Sequence, residues 1–212
     1  MKFDKTNIFL GKGAYGTVIQ TDKNHPIVTK VSKLTIEEAS IIIIEPAFAV
    51  LLSNQPCCLV KVYDSTIYTN NSVGIYMKAY DNNLAKVIPT VPDPRIVLYQ
   101  IVKGLYYAYR LGTMHLDLKP HNIFVKGDDS DVGDWGISIF IPYARNHKLS
   151  YRVQTPVYRA PEVFLQKEYD SAADVFSVGL IALELFYKDT LIISHLKKML
   201  TNDEHKFTKS SI

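Results

Sequence analysis

The stretch MHLDLKPHNIFVKGDDSDVGDWG, Met114 to Gly136, places Asp117, Lys119, Asn122 and Asp134 around the apolar run Ile123-Phe124-Val125. Charged and amide groups beside so apolar a run are costly to bury singly, so they are expected to meet at one polar site. A second candidate lies near the start of the chain. In GKGAYGTV, Gly11, Gly13 and Gly16 are followed by Val18. Without side chains, the backbone N–H groups there could approach a phosphate closely. A dinucleotide-binding fingerprint needs a helix directly after the last glycine. Here VIQ continues as a strand, which leaves a phosphate-covering turn or a plain glycine-bearing hairpin. Lys30 follows in IVTKV, fourteen residues after Gly16. A lysine in such a strand ordinarily faces solvent, and it gains chemical meaning only if an acid faces it. Glu45, set among apolar residues, is the acid expected to do so. Glu37 and Glu38 are better suited to a helix first turn.

With 212 residues the chain has room for one domain or two small lobes. An apolar content of 47% supplies a substantial core, and 21% charged residues is ordinary for a globular protein. A net charge of +3 is too small to mark a nucleic-acid or membrane binder, so neither partner is expected. The two cysteines are the neighbours Cys57 and Cys58, and no CxxC pair exists. Neighbouring cysteines rarely bridge, so buried thiols in a reducing compartment are expected rather than a zinc or disulfide framework. The start, MKFDKTNIFL, lacks the apolar core of a signal peptide, and an intracellular protein of cytoplasm or nucleus is expected. ASIIIIEPAFAVLL and FSVGLIALELFY are too short to span a membrane, and a glutamate interrupts each. They read as buried helices.

The elements that must position these residues change character along the chain. Residues 8–20 read as two strands around the glycine turn, and IVTKVSKL reads as a third. Residues 35–53 carry a helical pattern opening at Thr35, with Glu38 completing a capping box. Pro46 should kink that helix, or end one turn and start another. CLVKVYDSTIY and SVGIYMKAY pair as strands about a turn at Asn70-Asn71. DPRIVLYQIVKGLYYAYRLG is helical, with Ile96, Val97, Tyr99 or Gln100, Ile101, Leu105 and Ala108 as its apolar stripe and Gly112 as its C-cap. Strands dominate before residue 80 and helices after it. The prediction is an α+β chain of two lobes, with the boundary near Ala79 to Asn83.

Taken in order, six segments resemble the signature set of eukaryotic-type Ser/Thr protein kinases. They are the glycine turn at Gly11, Gly13, Gly16 and Val18, IVTK ending at Lys30, HLDLKPHN from His115, DWG from Asp134, YRAPE from Tyr158 to Glu162, and DVFSVGLIALEL from Asp174. The resemblance implies a two-lobed kinase fold. Residues 1–80 would form an antiparallel sheet plus one helix, and residues 81–212 a mainly helical, shortened second lobe. It implies ATP and Mg²⁺ as cofactors and a protein bearing serine or threonine as substrate. Asp117 would accept or orient the substrate hydroxyl proton, and Lys119 would reach the γ-phosphate. Asn122 and Asp134 would hold magnesium, and Lys30, paired with Glu45, would position the α- and β-phosphates. Leu10, Val18, Val28 and Phe124 would sandwich the adenine. Met77 falls at the gatekeeper position, and Lys78 and Tyr80 would offer backbone hydrogen bonds. Thr155 would pack against Asp117 and Lys119, Glu162 would await an arginine from a later helix, and Asp174 would open the buried helix. KGDDSD, Lys126 to Asp131, reads as a solvated turn between short strands.

Four departures from the pattern carry consequences. Leu116 replaces the arginine that clamps an activation-loop phosphate, so activity is expected not to depend on that phosphorylation. Trp135 replaces a phenylalanine and should fill the same apolar slot. Pro46 follows Glu45 directly and strains the preceding turn. Only fifty residues follow Glu162, too few for the usual helices, so a partner protein covering the shortened lobe is expected. So reduced a kinase would suit a virus or another streamlined genome. An active kinase is the first reading, because Lys30, Asp117, Lys119, Asn122 and Asp134 are all present. A kinase-like module that docks and modulates another kinase or its substrate without turnover is the second, favoured by Pro46 and the short C-terminal part. A small-molecule kinase is the third, opposed by TPVYRAPE, which resembles a platform for protein substrates.

Overall fold

The computed structural model describes residues 8–12, 16–20, 26–33, 39–69, 71–140 and 153–188. The expected helix start at Thr35 and Glu38 lies outside them, as do Gly13 and Asn70. Five antiparallel strands form the first sheet: β1 Ile8–Lys12, β2 Thr17–Gln20, β3 Ile27–Lys33, β4 Val62–Tyr68 and β5 Ser72–Lys78, in the order β1-β2-β3-β5-β4. Asn71, at φ 55°, supplies the left-handed residue of the β4–β5 turn. Helix α1, Ala39–Ser53, packs beside β4 and β5.

α1 is not divided at Pro46. An interior proline costs about 3 kcal/mol, because it removes one helix hydrogen bond and crowds the preceding turn. Phe48, Ala49 and Leu52 are all buried one turn further on, and each large apolar side chain so buried returns about 1.5–3 kcal/mol. Packing therefore outweighs propensity, and the helix does not end at Pro46. Pro46→Ala is expected to raise the stability to chemical unfolding by about 1–3 kcal/mol, read as a higher urea midpoint at unchanged slope.

After β5 the chain enters a second, three-stranded sheet. It consists of β6 Asn82–Asn83, β8 Ile123–Lys126 and β9 Asp129–Val132. The expected lobe boundary thus falls on a strand that pairs with β8. Helix α2, Leu84–Val87, leads to α3, Pro94–Arg110, which Asp93 caps by accepting the Arg95 N–H. Gly112 lies just beyond it at φ 69°, as the C-cap reading requires. The stripe on α3 is corrected: Val97, Ile101, Gly104, Leu105 and Ala108 are buried, whereas Ile96 and Tyr99 are exposed. Gly104 is obligatory, since a Cβ there would come within 2.3 Å of the Cys58 carbonyl oxygen. β7, Thr113–Met114, pairs with β10, Ile139–Phe140. Helices α4, Pro161–Phe164, and α5, Ala172–Tyr187, complete the described chain. α5 buries one face only, and its Val175, Phe186 and Tyr187 are exposed. The main core lies among α3, α5, β8 and β9, around Ile101, Leu105, Ile123, Val132, Ile181 and Leu185.

β9 is also tied to the segment leading into β4. Val60 N–H donates to Val132 O at 2.9 Å, Val132 N–H donates to Cys58 O at 3.0 Å, and Leu59 and Val132 form a parallel bridge. Cys58 is buried and Cys57 is half-buried, with their sulfurs unbonded 3.3 Å apart. Among the described residues no helix is long and apolar enough to cross a membrane.

Candidate active site

The register of the first sheet decides what surrounds Lys30. Val18 and Ile75 are its cross-strand neighbours, and Met77 faces Val28. Side chains alternate along a strand, so Val18, Val28, Lys30, Ile75 and Met77 share one face. Glu45 of α1 reaches that face. Lys30 Nζ donates to Glu45 Oε1 at 2.5 Å and to Asp134 Oδ1 at 3.0 Å. Burial alone would lower the Lys30 pKa, but the Glu45 and Asp134 carboxylates outweigh it and the net displacement is upward. The two acids divide. Burial overcomes the Lys30 charge at Glu45 and raises its carboxyl. At Asp134 burial also pushes upward, but Lys30, then His115 and Lys119, prevail and hold it below the usual value.

The loop from His115 to Asn122 is held from α5. Leu116 stands at φ 63°, a left-handed backbone that costs an ordinary residue about 1–2 kcal/mol. Asp174, fully buried, offsets this by accepting the His115 N–H at 2.7 Å and the Leu116 N–H at 2.8 Å. Burial raises the Asp174 carboxyl, against the opposing pull of His115 and these two N–H groups. His115 carries the arrangement onward. Its Nδ1 accepts the Asp117 N–H at 3.1 Å, so Nε2 bears the proton and donates to Gly133 O at 2.9 Å. The ring lies 4.5 Å from that of Trp135, which is 3% exposed and fills the apolar slot expected of it. His115 therefore sets both Asp117 and the approach to Asp134.

Four donors hold the Asp117 carboxylate. Lys119 Nζ at 2.6 Å and Asn122 Nδ2 at 3.1 Å donate to Oδ2. Thr155 N–H at 3.1 Å and Thr155 Oγ1 at 2.7 Å donate to Oδ1. Lys119 Nζ also reaches Thr155 Oγ1 at 3.0 Å, and Asn122 Nδ2 reaches Asp117 O at 2.8 Å. The sequence-predicted polar residues Lys30, Glu45, Asp117, Lys119, Asn122, Asp134 and Thr155 thus fall into two groups, linked through His115.

The apolar set is less uniform. Val28 is buried, and Met77 and Phe124 pack against the cluster of Ala49, Val60, Val62, Val73 and Ile75. Leu10 is 49% exposed on β1, at the register shift between Phe9 and Gly11. Gly16 admits no side chain, since a Cβ would meet Ser32 Oγ at 2.6 Å and Val31 O at 2.8 Å. Lys78 N–H donates to Lys61 O at 2.9 Å, so only the carbonyl of that residue is left for a base.

One supporting residue, Gln154, had no sequence signal. Gln154, buried at φ 67°, accepts the Ala160 N–H at 3.0 Å and shapes the turn that presents Thr155. Tyr158 Oη donates to Glu184 Oε1 at 2.5 Å. Leu116 is buried with Met114, Ala160, Val163 and Ala173. Glu162 makes no ion pair among the described residues, and no arginine follows Arg159 in the sequence.

A strand lysine locked between a helix glutamate and a loop aspartate, beside an aspartate fixed by lysine, asparagine and threonine, belongs to one class of protein. The chain is a member of the eukaryotic-type Ser/Thr protein kinase family, and the family model described as protein kinase domain matches residues 5–211. It is 30% identical over 221 residues to Cell division control protein 7 of Schizosaccharomyces pombe, covering 96% of this chain and 20% of that protein. It is 34% identical over 123 residues to Cyclin-dependent kinase B2-1 of Oryza sativa subsp. japonica, covering 56% of this chain and 36% of that protein. It is 38% identical over 102 residues to Eukaryotic translation initiation factor 2-alpha kinase 1 of Mus musculus, covering 42% of this chain and 16% of that protein. The chain thus spans between about a sixth and about a third of the length of these relatives.

Proposed function

We propose that this protein is an ATP-dependent serine/threonine kinase acting on proteins, with residues 1–80 and 81–212 as the two lobes of one catalytic domain. The observation that supports this most is the contact of Lys30 with both Glu45 and Asp134, the latter 104 residues away. A purely structural chain has no need to place an ammonium between two acids at a cleft, because desolvating three charges is expensive. The alternative of a binding module without turnover leaned on Pro46, but α1 continues through Pro46 and delivers Glu45 to Lys30.

In this reading Asp117 orients the hydroxyl of the acceptor serine or threonine and takes its proton as the new O–P bond forms and the γ-phosphorus bond to the β–γ bridging oxygen breaks, releasing ADP. Lys119 neutralises charge on the transferred phosphoryl group, and Lys30 holds the non-transferred phosphates. Asn122 turns its amide nitrogen toward Asp117, so Oδ1 is the atom left to face a cation. With the Asp134 carboxylate it makes a hard-oxygen donor set that fits Mg²⁺. Magnesium, when bound, draws off charge from the phosphate oxygens. Val18, Val28, Met77 and Phe124 line the base pocket, with the Lys78 carbonyl and the Tyr80 N–H at its edge. A protein partner on the open face of α5 belongs to the same proposal.

The experiment is transfer of label from γ-labelled ATP to a serine/threonine peptide library, for the unaltered chain and Asp117→Asn. Labelling by the first and not the second supports a kinase. Equal labelling, or none, supports the module. Leu116 lies in an apolar cluster with Ala160 and Val163, so the loop is joined to the segment after Thr155 by burial rather than by a phosphate clamp. Phosphatase-treated protein is therefore expected to keep its transfer rate, and loss of activity on that treatment would refute this independence.

A further inference from the structure

The KGDDSD turn reads as solvated, but its last acid is not. Asp131, on β9, is 7% exposed. Burying a carboxylate so deep is costly unless it is paired and hydrogen-bonded. Its partners come from the segment where β5 ends. Tyr80 Oη donates to Asp131 Oδ2 at 2.7 Å, and Lys78 Nζ stands 3.4 Å from the same oxygen. The Lys78 ammonium also lies 5.0 Å from the centre of the Tyr80 ring, and that ring lies 5.5 Å from Phe124. The further contact of Lys78 with Asp129, at 3.6 Å, involves a carboxylate 68% exposed and adds little. Two more bonds fasten the same segment to the β8–β9 hairpin: Lys126 Nζ donates to Ala79 O at 3.2 Å, and Asp81 N–H to Val125 O at 3.0 Å.

We propose that Asp131 is a positioning residue for the nucleotide base. It clamps the Lys78–Tyr80 backbone at a fixed distance from Phe124 and from Asp134, three residues further along the chain. This rests on the kinase reading above. The backbone of this segment is bonded to its neighbours at Lys78, Ala79 and Asp81, and the Asp131 bonds add side-chain anchors at its two ends. Adenine recognition by two backbone groups demands that they be held in place before the base arrives, since ordering them afterwards reduces affinity. A buried acid that ties one side chain from each end of a three-residue segment does this. Burial, reinforced by the Asp131 charge, raises the Tyr80 hydroxyl far above its ordinary pKa, so it stays a donor at all physiological pH.

The test is steady-state kinetics with ATP and a phosphoacceptor peptide, beside amide hydrogen exchange of the nucleotide-free chain. In Asp131→Ala the KM for ATP is expected to rise about tenfold, the loss of one charge-assisted hydrogen bond, with kcat and the peptide KM within about twofold. Asp131→Asn keeps an acceptor for Tyr80 and recovers most of the affinity, and Tyr80→Phe reproduces part of the defect. Exchange at residues 78–83 should rise in Asp131→Ala, while that of Ile101–Ala108 in α3 does not. Equal changes in both KM values, or a lowered kcat without faster exchange at 78–83, would mark a merely structural residue and overturn the proposal. Failure of the unaltered chain to take up Mg–ATP by calorimetry overturns the kinase reading and this role with it. Normal uptake by both the unaltered chain and Asp131→Ala overturns this role alone.

Discussion

Asp117→Asn is expected to lower phosphoryl transfer by about 10²–10⁴-fold, the usual contribution of a positioned general base. Calorimetric binding of Mg–ATP should survive, because Lys30 and Asp134 are untouched. The substitution is close to isosteric, but it is not silent in the folded state. The carboxylate accepts from Lys119, Asn122 and Thr155, and the Thr155 backbone and hydroxyl both use Oδ1. An amide offers one acceptor oxygen, so whichever way it turns, its NH₂ faces donors. A stability loss of about 1–3 kcal/mol is expected, measurable by urea unfolding. The combination of retained nucleotide binding, a modest stability loss and collapsed transfer identifies a residue that acts on the acceptor hydroxyl. Transfer persisting at more than about a tenth of the original rate would remove Asp117 from that role.

Asp174→Ala should produce the largest loss of stability of any single change considered, about 2–6 kcal/mol. Truncation orphans two buried N–H groups, those of His115 and Leu116, and leaves only apolar packing to hold Leu116 in its left-handed backbone. Against a total stability of about 5–15 kcal/mol such a loss removes a large part of the margin. Asp174→Asn separates shape from charge. One oxygen still accepts an N–H, the other position becomes a donor facing a donor, and about half the loss should return. Urea midpoints compared at equal slope decide the matter. A cost under about 1 kcal/mol for Asp174→Ala would show that the loop holds itself.

Much of the site was readable because its chemistry dictates residue types. Asp117, Lys119, Asn122 and Asp134 stand out as polar residues in an apolar context, and each has a polar side-chain partner. Glu45 could be chosen over Glu37 and Glu38 because only a paired acid tolerates its surroundings. The failures are equally physical. Pro46 was read by local propensity, which three buried apolar residues on the following turn override. On α3 the spacing identified a stripe, but helical periodicity alone did not say that Ile96 and Tyr99 sit outside it. Asp131 looked solvated, for nothing within its own turn announces that Tyr80, fifty-one residues earlier, arrives beside it. Gln154 gave no signal, since a glutamine before Thr-Pro has the composition of any loop.

The ties at Leu59–Val132 and Asp81–Val125 have a mechanical consequence. With Lys126–Ala79 and the bonds of Lys78 and Tyr80 to Asp131, they attach the end of the first sheet to the β8–β9 hairpin at several points. One hairpin thereby carries the end of β5 and also leads directly into Asp134, so the two cannot shift independently.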